Sequence, residues 1–361
     1  MAEIKLVKHR ERRGELLNLF RASFGFNISP ELWDWKYLQN PLASDDPEII
    51  VAVDNDRIIG ARPLLLAELW LKDENIKAAQ PCDTMVHPEH QREGIFSGMN
   101  RYAIQYFKEN GYTLFYNFPN PKSRPGYIKQ GWEIVSSAGI LFRVVNPQKA
   151  ISYALNNRVL GNGLGFLYDN LINRSAKATA SSDSFHLKVF DHLNEELGEI
   201  DALRNRAVIN VVRSKSYLSW RFDQHPEYSY KYIVAKKADE LWGYTVSSVQ
   251  RQPNGLVSGV IVDYVVRDEN IECFRQLINE ALLQLENLKP DLISIGAFHQ
   301  PGFRRELVEH FGFKSSMKFP YNRFADRSYF VVRRIDERAA EKIDVYNKEN
   351  WQLTYIYPDT T

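Results

Sequence analysis

Residues 86–96, VHPEHQREGIF, place a polar, proline-bounded turn directly before a glycine that opens an amphipathic segment. A strand ending at Val86, a turn through Pro88 and Gln91, and a helix starting at Gly94 leave several backbone N–H groups without an intrahelical partner. Such a helix start carries roughly half a positive charge and suits a phosphate or pyrophosphate. Glycine at position 94 lets the backbone approach that ligand closely. The same residues also read as an ordinary strand-to-helix turn, and local physics leaves both readings open. His87 and His90 form an H-x-x-H pair with no third ligand beside it, so no metal is expected.

The elements that must position this turn are legible on either side. In the helix expected over 94–109, Ile95, Met99, Tyr102, Ala103 and Tyr106 recur at spacings of three and four, which lays one apolar stripe against a sheet. Gly111 stands where a helix end favours a left-handed residue. A strand is expected over 79–86, and TLFYNF (113–118) reads as the next. A proline-rich loop and a short helix ending at Gly131 come after it. Upstream, a helix is expected over 10–22 and hairpin strands over 48–54 and 57–70.

The same order recurs. WDWKYLQNP (33–41) and YLSWRFDQHP (217–226) align on Trp35 and Trp220; Gly60 then matches Gly243, Asp83 matches Asp263 and Gly131 matches Gly312. The offset stays at about 180 to 185 residues, a period that means duplicated domains rather than a solenoid. Both Trp segments are expected to pack as aromatic and basic elements near domain surfaces. A chain of 361 residues agrees with two domains.

VHPEHQREGIF resembles the acyl-CoA pyrophosphate loop of the GNAT acetyltransferase superfamily, whose pattern is Gln or Arg, two spacers, Gly, one spacer, then Gly or Ala. Gln91, Arg92, Glu93, Gly94 and Ile95 fit, and Ser97 comes next but one; Phe96 stands where the family prefers Gly or Ala. The resemblance implies that the pantetheine arm runs along the backbone of Met85, Val86 and His87. It extends to NPKSRPGYIKQGWE (120–133), where Asn120 takes the place of a cofactor contact. There Tyr127 takes the place of the tyrosine that protonates the departing thiolate.

The resemblance implies an α/β fold of two tandem GNAT-like domains, each a mixed central sheet flanked by helices. The boundaries read as 1–145 for the acyl-CoA-binding domain, 146–184 for a connecting helical segment ending in a polar linker (174–184), 185–335 for a degenerate second copy and 336–361 for a tail. The implied activity is acyl transfer, most simply from acetyl-CoA, to a small-molecule amine. The tail resembles endings of GNAT-like proteins encoded near polysaccharide genes, which points to an amino sugar. An acceptor amine needs a base or a water relay; Asp83, expected on one strand face with Met85 and His87, is the first candidate and His87 the second.

The second copy lacks this chemistry. It reads VVRDENIECFRQL where the loop should be, with Glu269 and Glu272 in place of phosphate-binding groups, and Val308 corresponds to Tyr127. A Fem-type aminoacyl transferase and a noncatalytic GNAT-like binding protein are the competing functions. The net charge of +1 removes the electrostatic reason to expect nucleic acid. No run of some 18 apolar residues is present, so no membrane insertion is expected. Cys82 and Cys273, far apart, together with a charged N-terminus, fit the cytoplasm.

Overall fold

The computed structural model describes residues 2–357, apart from 138, 158, 162, 165–183, 199, 253, 297–300, 320, 326–328 and 338–342. The polar linker at 174–184 lies, except for Ser184, outside the described residues. Among the described residues no helix is long and apolar enough to cross a membrane.

The N-terminal half runs β1 (Glu3–Lys8), α1 (His9–Phe24), α2 (Pro30–Tyr37), β2 (Glu48–Asp54), β3 (Arg57–Arg62), β4 (Leu64–Leu71), β5 (Glu74–Pro81), β6 (Met85–Val86), α3 (Ile95–Glu109), β7 (Tyr112–Asn117), α4 (Arg124–Ile128), β8 (Glu133–Ser137), β9 (Ile140–Val144) and α5 (Pro147–Leu155). The C-terminal half supplies β10 (His186–Phe190), β11 (Asn210–Val211), β12 (Tyr230–Lys237), β13 (Glu240–Arg251), β14 (Val257–Val266), β15 (Leu292–Gly296), β16 (Lys314–Ser315) and β17 (Tyr329–Arg334). Its long helix is Ile271–Asn287 and a shorter one is Pro301–Glu309. The α/β class and the tandem arrangement are as expected from the sequence.

Three sheets form instead of one per half: β1-β2-β3-β6, β11-β4-β5-β7-β17-β8 and β10-β12-β13-β14-β15-β9-β16. The two halves exchange strands. β17 lies antiparallel between β7 and β8, while β9 lies antiparallel between β15 and β16. The boundaries 1–145 and 185–335 therefore do not follow the sheets: residues 140–144 complete the C-terminal sheet and residues 329–334 complete an N-terminal one. The exchange is invisible to hydrophobic periodicity, because both strands carry the same alternating pattern and differ only in which partner they meet.

The repeated tryptophans sit where the halves touch, not near domain surfaces. The Trp35 indole N–H donates to the Trp220 carbonyl at 2.7 Å and the Trp220 indole N–H to the Trp35 carbonyl at 2.8 Å. The two rings stack at 5.0 Å. Equivalent residues exchanging equivalent bonds mark a local twofold axis between the copies.

The repeated aspartates have separate fates. Asp263 is fully buried and accepts from Arg213 Nε and Nη2 at 2.9 Å each, from the Tyr244 hydroxyl at 2.5 Å and from Thr354 Oγ1 at 2.7 Å. Thr354 belongs to the tail, so the tail is packed in by this carboxylate. Burial raises the Asp263 pKa, but the Arg213 guanidinium and the hydroxyl donors overcome it and hold it below the ordinary value. A folded-state pKa below the unfolded one contributes stability above the unfolded value, lost as pH falls through the folded one. Asp263→Asn leaves Arg213 buried without a counter-charge, so urea unfolding should show a loss of about 3 to 5 kcal/mol at neutral pH. The acid-induced loss of stability should also shrink; a variant within about 1 kcal/mol of the parent contradicts the assignment.

Candidate functional site

The strands expected over 57–70 and 79–86 are each broken, and the breaks face one another. Pro63, which has no N–H to give a ladder, separates β3 from β4. Asp83, at φ +46°, separates β5 from β6. β4 pairs with β5 as far as Leu64 and Pro81, and β3 pairs with β6 at Gly60–Val86 and Ala61–Met85. β7 runs parallel to β5 from Lys77 to Ala79 and then follows β17, so β6 is left as the edge of its sheet. The His87 N–H donates to the Ile59 carbonyl at 2.8 Å. By strand alternation Val86 then directs its own N–H and C=O away from β3, toward that open edge. Ser23 Oγ approaches the Val86 carbonyl there at 3.4 Å.

Beyond β6 the chain makes one turn of 3-10 helix, Pro88–His90, then passes Arg92 at φ +71° and Gly94 at φ +80° into α3. Gly94 caps the helix without any side-chain bond, and the first turn holds no acidic residue. A Cβ at position 94 would meet no protein atom within 4 Å, so the space it faces is open. The second copy does the opposite at the same point. Asn270 caps the helix Ile271–Asn287 with its own side chain, accepting from the Cys273 N–H at 2.9 Å. One helix start is self-satisfied and the other is bare. A pyrophosphate fits the bare one, which combines open space, unpaired amide donors and the positive end of a 15-residue helix.

A cleft of about 740 Å³ opens in front of this helix, lined by Val86, Gln91, Arg92, Gly94, Ile95, Phe96, Ser97 and Asn120 from the expected set. Ser23, Phe24, Thr84, His90, Lys122, Ser123 and Gly126 complete the wall, and Lys122 adds positive charge. A smaller cavity of about 330 Å³ lies between α2 and the far end of α3, away from the loop. Met85 and His87 contribute backbone to β6 and its extension but do not line the cleft. Glu93 turns to His90 Nδ1 at 3.3 Å. The Asn120 carbonyl oxygen accepts from the Lys122 and Ser123 N–H groups at 3.0 and 2.9 Å, which makes it the turn residue ahead of α4.

Phe96 is accommodated by the neighbouring helix. Its ring packs against Gly126, where a Cβ would come within 3.1 Å of it, and stands edge-on to Tyr127 at 5.6 Å. The ring is thus held against α4. Tyr127 is buried behind Phe96, against Trp132. Asp83 is not on a strand face with Met85 and His87, because its positive φ breaks the alternation. Its Oδ2 accepts from Lys36 Nζ at 2.8 Å and from the Tyr37 hydroxyl at 2.6 Å, so it anchors α2.

Sequence pattern alone does not single out Arg62 and Asn100. Arg62 is fully buried; its Nη2 donates to Asn100 Oδ1 at 2.7 Å and its Nη1 to Thr84 Oγ1 at 3.3 Å. The guanidinium lies 5.5 Å from the Tyr127 ring centre and 5.6 Å from that of Phe96. Burial draws its pKa below the ordinary guanidinium value, against the opposing influence of the Tyr127 hydroxyl. Asn100 is buried in α3 beside the predicted stripe, while Tyr102 and Tyr106 lie only partly within it. A polar residue one step off an apolar stripe carries no signal by itself.

The loop, the edge strand and the cleft lie within the part of the chain that a known domain matches. Residues 3–135 match the model of the acetyltransferase (GNAT) domain. A comparison with curated protein sequences gives no match. Among solved structures, a GCN5-related N-acetyltransferase from Anabaena variabilis ATCC 29413 aligns with a TM-score of 0.64 at 12% identity, over 94% of this chain and 74% of that one. Eis1 from Mycobacterium abscessus aligns with a TM-score of 0.57 at 14% identity, over 94% and 75%. A tandem GNAT protein from the clavulanic acid biosynthesis pathway aligns with a TM-score of 0.55 at 12% identity, over 92% and 99%. Residues 3–135 thus match a GNAT acetyltransferase domain, and the chain over nearly its whole length has the fold of these acetyltransferase structures, a tandem GNAT protein among them.

Proposed function

We propose that the chain is an acyl-CoA-dependent N-acyltransferase that moves an acetyl group to the amine of a small molecule. The observation that carries this reading is the uncapped start of α3 at Gly94, open to the cleft, set against its self-capped counterpart at Asn270. The amides of Gly94 to Ser97 and the side chains of Arg92 and Lys122 hold the pyrophosphate. Val86 offers its backbone at the open edge of β6 to the pantetheine amides. Bound acetyl-CoA supplies a thioester carbonyl and a thiolate leaving group.

Tyr127 is the donor of the proton that the departing sulfur takes up; it is buried, with Phe96 edge-on to it at 5.6 Å. The acceptor enters as a free amine and loses its surplus proton to water. Asp83, engaged by Lys36 and Tyr37, acts by placing α2.

Calorimetric titration with acetyl-CoA tests the cofactor half of this reading, and release of coenzyme A across a panel of primary amines, amino sugars first, tests the other. Tyr127→Phe should bind acetyl-CoA as the parent does while kcat falls about 100- to 10,000-fold. Unchanged kcat removes Tyr127 from the chemistry. Absence of acetyl-CoA binding by the parent removes the acetyltransferase reading and brings forward aminoacyl-tRNA or a noncatalytic role.

A further inference from the structure

The side chain in this fold that is hardest to explain structurally is Arg62. Among the described residues it is fully buried and forms no ion pair with a carboxylate; its Nε has no hydrogen-bond partner. Two more buried donors around Tyr127 are also without an acceptor, Asn100 Nδ2 and Trp132 Nε1. A buried charge costs several kcal/mol unless paired, so a position that serves stability alone would carry an apolar side chain.

The second copy provides that comparison within the same chain. Gly60 packs under Ile95 and Met99, and Gly243 under Cys273 and Leu277. That correspondence places Thr245 opposite Arg62 and Ile278 opposite Asn100, both of them fully buried. Thr245 satisfies itself on the Asp263 carbonyl at 3.0 Å. The half with a self-capped helix start and Val308 in place of Tyr127 has thus replaced the cation and its amide partner by groups with no charge to bury. The fold does not need them.

We propose that Arg62, held by Asn100 and Thr84, is a positioning residue for acyl transfer, fixing a positive charge beside Tyr127 where negative charge develops as the tyrosine gives up its proton. The inference rests on the acetyltransferase reading of the cleft. In the step concerned, the amine lone pair forms the C–N bond as the C–S bond breaks, and the sulfur leaves with that electron pair and takes the Tyr127 proton. The phenolate keeps the O–H electron pair beside Arg62 until water returns a proton, and the ammonium proton of the product leaves to water. Nothing is oxidised or reduced.

Two measurements on the full chain test this, and the first needs no turnover. Arg62→Met combined with Asn100→Leu, which removes the amide that would lose its partner, should leave Tm within about 3 °C of the parent or above it. A fall of more than about 10 °C makes the role structural and overturns the proposal. Second, Arg62→Met should lower kcat for coenzyme A release at least about 100-fold with the Kd for acetyl-CoA within about threefold of the parent, and Arg62→Lys should recover about tenfold of that loss. In a Tyr127→Phe background the same substitution should cost less than about threefold, since its partner is gone. Equal losses in the two backgrounds overturn the Arg62 proposal while leaving the function standing. A parent that does not bind acetyl-CoA overturns the function, and this inference with it.

Discussion

Residues 1–184, produced without the rest of the chain, are expected neither to fold cooperatively nor to bind acetyl-CoA, although they contain the whole loop proposed to hold its pyrophosphate. β17 supplies the strand between β7 and β8 and buries Phe330, Val331 and Val332 completely. At about 1.5 to 3 kcal/mol for each fully buried apolar side chain, their loss is comparable with the entire stability of a domain, about 5 to 15 kcal/mol. The fragment would also present two unpaired central strand edges and the unpartnered strand β9, an invitation to aggregation. Adding residues 185–361 should restore both folding and binding, because that piece returns β17 and accepts β9. Circular dichroism with thermal unfolding and calorimetry on the fragment, alone and with its complement, decide this. A soluble fragment 1–184 that melts cooperatively and binds acetyl-CoA like the full chain would sink the claim that the exchange is obligatory.

Gly94→Asp is expected to move stability and binding in opposite directions. Aspartate is a favoured residue at a helix start, where its carboxylate accepts from first-turn amides and meets the positive end of the dipole, worth about 0.5 to 2 kcal/mol. Against that stands the positive φ of 80°, which costs an L-residue about 1 to 2 kcal/mol. The net change in Tm should therefore be small. For binding, both effects of the new carboxylate are adverse. It takes up the amide donors, and it sets a negative charge against the pyrophosphate, at an effective dielectric near 20 worth about 4 kcal/mol for two unit charges about 4 Å apart. The Kd for acetyl-CoA should rise at least about 100-fold, since about 1.4 kcal/mol is already tenfold. Gly94→Ala carries the backbone strain without the charge and should cost about tenfold or less. Equal losses from Ala and Asp would mean that the glycine serves backbone geometry alone and that the phosphates lie elsewhere.

How much of this was legible in the sequence varies by element, for physical reasons. The helix 95–109, its glycine start and the left-handed Gly111 were readable because helix periodicity and glycine placement are local. α2 has no counterpart among the expected elements, although Ser29 followed by Pro30 is a helix-start signal and Ser29 Oγ accepts from the Leu32 N–H at 3.1 Å. The charged run at the N-terminus concealed β1, whose Ile4 and Leu6 alternate with polar residues. Strand alternation carried through position 83 puts Asp83 on one face with Met85 and His87, but its positive φ breaks that alternation.

By itself the sequence determined the duplication, the α/β class, the loop at 91–97 and the loss of that loop from the second copy, because each is written in contiguous residues. Tertiary structure alone decided which half receives β9 and β17, that Trp35 and Trp220 exchange hydrogen bonds across a local axis, and that Arg62 lies buried beside Tyr127. These depend on pairings between residues far apart along the chain, and an alternating strand or a lone arginine has the same local pattern whatever it meets.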